Sequence, residues 1–213
     1  MAYIDKKTGK LIYNSITSNE VVQANYLASN QDEHHVDDVI NIYTMLMPWN
    51  YGTPPCSHTE IGFWVDGELW FFSSTSRKEL GSSSSKKNGT RWIKAEEMLR
   101  NPDRWLLQVK HVESIGDRSL SISRANRLVR SAYDFYGVFA DFTNPYRVLC
   151  NGKYVPLEDI AKIKKIYCSK TVELVDTGRL RVMSPKRRFK VAKKLGYVAV
   201  DNTEEYMKNK GII

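Results

Sequence analysis

The sequence predicts an α+β protein, in which a central meander of antiparallel strands is flanked along the chain by helices. The plainest strand signal is a hairpin, because "HTEIGFWV" and "ELWFFSST" are rich in aromatic and β-branched residues and flank the tight-turn dipeptide Asp66-Gly67. The plainest helix signal is "SPKRRFKVAKKLG", with Ser184 as N-cap, Pro185 in the first turn and Gly196 after the end. The 213 residues, of which 42% are hydrophobic, suffice for one domain with its own core.

The elements before this hairpin are less clearly marked. Residues 1–14 predict a small hairpin that turns at "DKKTGK". The segment "SNEVVQANYLASN" predicts a helix that begins at Ser18 or Asn19, whereas "DDVINIYTMLM" is a buried strand or a short helix, which its periodicity does not decide. We therefore treat residues 1–40 as an N-terminal extension or an edge hairpin, residues 41–196 as the core, and residues 197–213 as a C-terminal strand and short helix of the same domain.

The elements after the hairpin alternate between strands and helices. The low-complexity run at residues 79–90 predicts a surface loop, and "TRWIKAEEMLRNPDRWLLQVKHV" predicts a strand, a short helix and a second strand. "SISRANRLVRSAYDFYG" predicts an amphipathic helix that is capped by Ser121 or Ser123 and carries a basic stripe of Arg124, Arg127 and Arg130. "VPLEDIAKIK" predicts a short helix, and a further helix fits Cys168 to Asp176 with Gly178 as its stop.

The net charge of +8 is concentrated near the C-terminus. The span from Thr177 to Val200 has no acidic residue and eight basic ones, Arg179, Arg181, Lys186, Arg187, Arg188, Lys190, Lys193 and Lys194. Such a segment attracts an anionic polymer or nucleic acid, or it is the solvated face of a helix, and the sequence leaves both readings open. Only Phe189 and Tyr197 are interleaved with these charges, which argues against recognition of nucleic acid by base stacking.

The rest of the composition excludes several classes. Three cysteines argue against a disulfide framework and favour a reducing compartment. No stretch has the roughly 18 apolar residues of a transmembrane segment, and the start has no apolar signal-peptide centre. We expect a soluble protein that is made in the cytoplasm. We expect to find it in a host cytoplasm or associated with a virion. No nucleotide motif occurs, and the Cys56-x-His58 pair lacks a second half-site for zinc, so we predict neither cofactor nor metal.

Cys168 is the clearest candidate for a catalytic residue in the sequence. It stands where a strand-like run becomes a helix, and the N–H groups and partial positive charge of a helix N-terminus favour a thiolate. A thiol nucleophile also needs an imidazole. His34 and His35 lie in a polar run, His111 lies near a strand end, and His58 opens the hairpin. From these residues alone a packing role for Cys168 stays open.

Three segments together point to a family. "SHTEIGFWVDGELWFFSS", "YDFYG" and "YCSKTVELV" occur in this order, and the chain resembles the circularly permuted NlpC-like papain-fold cysteine hydrolases, which include the YiiX-like proteins and phage-encoded relatives. In that family the histidine motif precedes the cysteine motif, which inverts the order found in papain. The resemblance covers roughly residues 40–195 and is nearest to the phage-encoded members. It implies a permuted papain-like fold, with a central antiparallel sheet packed against the helix that carries the cysteine.

The resemblance also implies roles for individual residues. Cys168 would be the nucleophile and His58 the general base and acid, with Tyr133 near the pocket and the backbone N–H of Cys168 or Ser169 holding the oxyanion. No acid follows on the second arm of the hairpin, where many relatives place a polar residue, so either Glu60 or a hydroxyl of Ser73 or Ser74 would orient the imidazole. Relatives often have glutamate after the cysteine-serine pair, whereas this chain has Lys170.

The resulting expectation is a cysteine hydrolase, either an amidase or endopeptidase acting on bacterial cell-wall peptides or an acyl hydrolase acting on acyl-linked lipid. Two alternatives stay open. The first is a catalytically weak or inactive papain-fold protein that binds a partner or belongs to a virion. The second is a nucleic-acid-binding protein that uses the arginine stripe at residues 124–130 and the basic segment from Arg179 to Lys194.

Overall fold

The computed structural model describes residues 1–27, 52–75, 89–138 and 152–213, and it shows a mixed α+β architecture. The strands are β1 (Tyr3–Ile4), β2 (Leu11–Ile12), β3 (Ile16–Leu27), β4 (Cys56–Val65), β5 (Glu68–Thr75), β6 (Gly89–Lys94), β7 (Trp105–His111), β8 (Ala132–Tyr133), β9 (Lys153–Tyr154), β10 (Lys165–Ile166), β11 (Arg179–Leu180) and β12 (Val198–Ala199). The helices used below are α1 (Ala95–Met98), α2 (Ile115–Leu128), α3 (Leu157–Ile160), α4 (Cys168–Thr177), α5 (Pro185–Lys194) and α6 (Thr203–Asn209).

Eight strands form one curled sheet in the order β10-β8-β6-β5-β4-β3-β7-β12. All neighbours pair antiparallel except β8 and β10, which are parallel. The hairpin predicted at Asp66-Gly67 is confirmed as β4 and β5, and both turn residues have positive φ, 49° and 83°. A two-residue turn of this kind matches the right-handed twist of the strands that it joins.

The helix predicted to begin at Ser18 or Asn19 is wrong, because this segment is β3, a long strand between β4 and β7. Its side chains alternate between the two sheet faces, and both Val22 and Ala24 are fully buried. Tertiary pairing on both sides therefore overrides the local helical preference. Residues 16–27, which we predicted to belong to an N-terminal extension or edge hairpin, lie inside the eight-stranded sheet. The small hairpin predicted for residues 1–14 is formed by β1 and β2.

Hydrophobic clusters cover both faces of the sheet. On the first face, Phe63 and Phe72 pack with Ile122 of α2 and Val172 of α4. On the second face, Trp64 and Phe71 pack with further residues, which include Trp105 of β7, Met98 of α1 and Met207 of α6. Alternation along a strand produces this division, since successive side chains point to opposite faces. The helix that carries Cys168 is thus packed on the first face.

Helix α2 differs from the prediction. It begins at Ile115 and its N-cap is Ser114, whose hydroxyl accepts from the Asp117 N–H, so the caps predicted at Ser121 and Ser123 are wrong. Arg124 is buried, and its guanidinium donates to the Val175 carbonyl at 3.3 Å. The arginine stripe is therefore interrupted by a residue that joins α2 to α4, and it does not form a continuous surface for nucleic acid.

Helices α4 and α5 follow their predicted signals. Helix α4 begins at Cys168 and ends at Thr177, and its C-cap is Gly178, whose φ of 73° is the left-handed conformation that glycine adopts easily. Helix α5 is capped by Ser184, which accepts from the Arg187 N–H at 3.1 Å. The segment "DDVINIYTMLM" and residues 79–88 lie outside the described residues. Among the helices described, none is long and apolar enough to cross a membrane.

Candidate active site

The thiol of Cys168 lies at the first residue of α4, where Tyr167 is the N-cap. The side chain is buried, with 3% of the residue exposed. The backbone N–H of Ser169 donates to its sulfur. A helix N-terminus leaves such N–H groups without intrahelical acceptors and carries a partial positive charge, so this position stabilises a thiolate. The local sequence alone accounts for this part of the site.

The N-terminus of α4 approaches the sheet at the point where β4 and β5 stop pairing. Within the described strands, their pairing runs from the turn as far as Ile61 and Phe72. In an antiparallel sheet the N–H and C=O of one residue both point toward the same neighbouring strand. The C=O of Thr59 accepts from the Ser73 hydroxyl at 2.8 Å, and its N–H donates to the Cys168 sulfur. The sulfur therefore occupies a position beside β4 that a paired strand would otherwise fill.

His58 lies one residue before Thr59 and is the partner of the thiol. Its imidazole hydrogen-bonds to the Cys168 side chain, and its Nε2 lies 2.9 Å from Glu60 Oε1. Because Glu60 takes Nε2, Nδ1 is the nitrogen available to the thiol. The ring is 5% exposed and stands edge-on to Trp105, with 6.4 Å between the ring centroids. Packing and two hydrogen bonds thus hold the orientation of the imidazole.

A buried carboxylate and a buried arginine complete the arrangement. Glu60 is fully buried, and its Oε1 accepts from both His58 and Arg91, whose Nη2 lies 3.0 Å away. Arg91 belongs to β6, so the interaction spans β5. An isolated carboxylate in such a place would become protonated, and an arginine, which stays charged, prevents this. The order of interaction is Cys168, His58, Glu60 and Arg91.

The electrostatics favour a thiolate–imidazolium pair. Burial opposes the charged form of His58, but the Cys168 thiolate and the Glu60 carboxylate overcome it and raise the pKa of His58 from 6.5 to about 9. Burial also opposes a charged Cys168, but the imidazolium and the N–H groups of Thr59 and Ser169 lower its pKa below the ordinary value. The pKa of Glu60 is lowered because Arg91 and His58 outweigh the effect of its burial.

The other residues predicted for the site have different partners. The Ser74 hydroxyl donates to the Ile166 carbonyl at 2.6 Å, so it holds β10 in place and does not orient His58. The Ser169 hydroxyl donates to the Met183 carbonyl, which leaves only its backbone N–H for the thiol. Tyr133 pairs with Ile166 and packs against Tyr167, the residue before Cys168. It therefore lies beside the residue that precedes the nucleophile.

The remaining cysteines and histidines do not join this arrangement where they are described. Cys56 is fully buried, and burial raises the pKa of its thiol to about 12 against the opposing charge of Lys186. His111 is exposed and its Nδ1 lies 3.3 Å from the Asn19 side chain. His34, His35 and Cys150 lie outside the described residues. No group of metal-ligating side chains occurs within the described ranges.

Only part of the basic segment faces solvent, because Lys186 and Arg188 are buried. Arg188 is fully buried, with Nη1 at 2.6 Å from Glu173 Oε2 and Nη2 at 2.5 Å from Asp176 Oδ2. Arg181 pairs with Glu173 at 3.4 Å, and Lys186 is only 2% exposed. The solvent-facing members are Arg179, Lys190, Lys193 and Lys194. The charge excess of the sequence therefore overstates the charge of the surface.

Sequence reasoning did not identify Arg91 or Thr59 as parts of the site. Arg91 had one usable signal: it is a cation directly before Trp92 and Ile93 in the predicted strand "TRWIK", and a buried cation needs an acid as its partner. Thr59 acts through its backbone N–H, for which no side-chain pattern exists.

Comparisons with protein families, with curated proteins and with solved structures find no match to this chain.

Proposed function

We propose that this protein is a thiol hydrolase or acyl transferase that acts on an amide or ester bond. The observation that supports it is the continuous interaction of Cys168, His58 and Glu60 at the start of α4. A thiol, an imidazole in contact with it and a third group that orients the imidazole are the parts required for nucleophilic acyl transfer. The Glu60 carboxylate removes one of the two arguments for an inactive protein, the lack of an acid on the second arm of the hairpin, and leaves the other, the basic segment, in place.

The reaction follows from the positions of these groups. The Cys168 thiolate attacks the carbonyl carbon, and the π electrons move to the oxygen. The tetrahedral intermediate collapses to a thioester as the amine or alcohol leaves with the proton of the His58 imidazolium. Water, or another nucleophile, then gives a proton to His58 and attacks the thioester carbonyl. The C–S bond breaks, the acyl group leaves on the new nucleophile, and the Cys168 thiolate and His58 imidazolium are restored. Glu60 keeps the imidazole oriented and stabilises its charged form in both halves.

The backbone around Cys168 is suited to the negative oxygen of the intermediate. The N–H of Ser169 points toward the sulfur, and the N–H of Cys168 lies in the first turn of the same helix. Donors that are already oriented toward the position of developing charge stabilise it without reorganisation. We therefore assign the oxyanion contact to the backbone of these two residues.

The substrate class remains the proposal that the family resemblance implies, a bacterial cell-wall peptide or an acyl-linked lipid. The permuted papain-like arrangement belongs to the same proposal. It is supported by a sheet whose histidine strand precedes the cysteine helix in the chain, and by the packing of that helix on the sheet. For an anionic polymer, the surface cations Arg179, Lys190, Lys193 and Lys194 would be the contact, through charge alone.

The decisive experiment compares two cysteines. Hydrolysis of cell-wall peptides and of a simple thiol-reactive ester should be lost in Cys168→Ala and retained in Cys56→Ala, because Cys56 is a fully buried thiol whose pKa is raised to about 12. A thioester at Cys168, trapped by acid quench and located by peptide mass spectrometry, would identify the nucleophile directly. Full hydrolysis by Cys168→Ala would refute the proposal.

A further inference from the structure

Thr59 lies on β4 just beyond the point at which β4 and β5 stop pairing. Within the described strands the pairing reaches Ile61 and Phe72, and the same register would place Thr59 opposite Ser74. A regular antiparallel pair at this position would satisfy both the N–H and the C=O of Thr59 from β5. The Cys168 sulfur accepts the N–H instead. The carbonyl therefore needs another partner, because a buried C=O without a hydrogen bond costs free energy.

The Ser73 hydroxyl is the partner of that carbonyl. It donates to the Thr59 oxygen at 2.8 Å, and both residues are fully buried. Ser73 itself stays in the sheet, because it pairs with Arg91 of β6. A side-chain hydroxyl reaches further from its strand than a main-chain N–H does, so Ser73 holds Thr59 while the two strands stand apart. This hydrogen bond bridges the gap that Cys168 enters.

Asn25 holds the side chain of Thr59 from the opposite neighbour, β3. The two residues pair across β3 and β4, and the Thr59 hydroxyl donates to Asn25 Oδ1 at 3.2 Å. Gln23 Nε2 donates to the same oxygen at 2.9 Å, and Asn25 Nδ2 donates to Gln108 Oε1 at 3.1 Å. All four residues are fully buried. Thr59 is therefore held from both sides, by its carbonyl from β5 and by its hydroxyl from β3.

We propose that Ser73 and Asn25 are positioning residues, which hold Thr59 in the orientation in which its backbone N–H donates to the Cys168 thiolate. The inference rests on the proposed function, since it concerns the reactivity of the proposed nucleophile. A hydrogen bond weakens steeply as its donor turns away from the acceptor, and one to a charged acceptor is among the strong ones. A small movement of β4 would therefore destabilise the thiolate without unfolding the protein. Ser73 thus acts on the thiol through Thr59, whereas the sequence predicted a contact with the imidazole.

The pH midpoint of the reaction of Cys168 with iodoacetamide measures this effect. The thiolate displaces iodide from the reagent, and mass spectrometry quantifies the modified Cys168 peptide over a series of pH values. Ser73→Ala should raise the midpoint by about 0.5–1 pH unit, because the thiolate loses part of a charge-assisted hydrogen bond. Thr59→Val keeps the backbone N–H but removes the hydroxyl that Asn25 holds, so it should also raise the midpoint. Thr59→Ser retains a hydroxyl and should stay near the wild-type midpoint.

Ser74→Ala is the matched control for a merely structural effect. Ser73 and Ser74 are both fully buried, and each hydroxyl donates to a carbonyl, that of Ser74 to Ile166 at 2.6 Å. Denaturant unfolding should therefore show a similar loss of stability in Ser73→Ala and Ser74→Ala. Only Ser73→Ala should shift the midpoint, because only its hydroxyl bonds to the residue that donates to the sulfur.

The outcomes distinguish this inference from the proposed function. An unchanged midpoint in both Ser73→Ala and Thr59→Val, or an equal shift in Ser74→Ala, refutes the positioning role and leaves the thiol hydrolase standing. A wild-type Cys168 that reacts only with the ordinary thiol titration contradicts the proposed function itself. Should neither variant fold, amide NMR of the wild type carries the test. The Thr59 amide signal should then move as Cys168 ionises and again when it is alkylated, and a signal that responds to neither overturns the inference.

Discussion

Glu60 Oε1 lies 2.9 Å from His58 Nε2, although the two residues are only two positions apart on β4. Side chains at i and i+2 of a strand share a face, so a single strand supplies both the base and the group that orients it. The same oxygen accepts from Arg91 on β6 at 3.0 Å. The ionisation of Glu60, and with it the raised pKa of His58, therefore depends on an arginine two strands away.

Replacing Glu60 by Gln should lower kcat by about 10²- to 10⁴-fold, because the imidazole loses both its orientation and the charge that stabilises its protonated form. The alkaline limb of the pH–rate profile should also move to lower pH, since Glu60 contributes to raising the pKa of His58. Steady-state kinetics across the pH range provide the measurement. Unchanged kcat together with an unchanged profile would show that Glu60 has only a structural role.

A folding control is needed, because Glu60→Gln breaks the buried ion pair between Glu60 and Arg91, for which we expect a cost of about 3–5 kcal/mol in the free energy of unfolding. The double variant Glu60→Gln/Arg91→Met removes both charges and should recover much of that stability without recovering kcat. Glu68→Gln, which breaks the partly exposed pair with Lys94, should cost less than about 1 kcal/mol and leave kcat unaltered.

The pH dependence of alkylation should show the thiolate–imidazolium pair directly. The reaction of Cys168 with iodoacetamide should persist below the pH at which an ordinary thiol loses its proton, because its pKa is lowered. Hydrolysis should decline as pH rises through about 9, where His58 loses the proton that the leaving group requires. Cys56 is the internal control and should stay unmodified near neutral pH. A Cys168 rate that rises only with the ordinary thiol titration would contradict the pair.

Stability should depend only weakly on pH between 6.5 and about 9. In this range the folded protein holds a proton on His58, whose pKa is raised to about 9, and favours the thiolate at Cys168, whose pKa is lowered from 9.0, whereas the unfolded chain holds a proton on the thiol and has released it from the imidazole. The stability that His58 contributes is lost as pH rises through 9, but the contribution of the lowered Cys168 pKa increases with pH below 9, so the two effects oppose each other. Denaturant unfolding at several pH values between these limits is the measurement. A free energy of unfolding that falls steadily from pH 6.5 to 9 would show that Cys168 keeps its proton in the folded protein, and would contradict the thiolate–imidazolium pair.

Ser74→Ala should reduce stability without altering the chemistry of the thiol. The Ser74 hydroxyl donates to the buried carbonyl of Ile166, and the loss of that donor should cost about 1–3 kcal/mol in the free energy of unfolding. The pH at which Cys168 becomes reactive should not move. Ser123→Ala on α2 is a suitable control and should stay within about 0.5 kcal/mol of the wild type. A shift in the pH profile of Cys168 alkylation in Ser74→Ala would show that this hydroxyl contributes to the catalytic site.

Arg188→Met should be among the most destabilising changes in the basic segment. It leaves the buried carboxylate of Glu173 facing an apolar side chain, for which we expect a loss of about 3–5 kcal/mol. Lys190→Met, at an exposed position of the same helix, should change the free energy of unfolding by about 0.5 kcal/mol at most. Equal effects in thermal or denaturant unfolding would place Arg188 outside the packed core.

Local signals account for the parts of this protein that the sequence determined. The turn at Asp66-Gly67, the start of α4 at Cys168 and its end at Gly178 each depend on residues within a few positions, so they are readable without a structure. The alternation of side chains along a strand likewise predicts from the sequence that Glu60 shares a face with His58. It could not choose between Glu60 and Ser74, since that choice depends on what else each side chain contacts.

Tertiary structure decided the rest, because those features depend on pairings between segments far apart in the chain. The predicted helix at Ser18 became β3 because β4 and β7 pair with it on both sides. The separation of β4 from β5 admits Cys168, Ile166 rather than His58 takes the Ser74 hydroxyl, and Arg91 keeps Glu60 ionised. Composition likewise counts the charges of Arg188 and Lys186 but not their burial, which only packing against other elements sets.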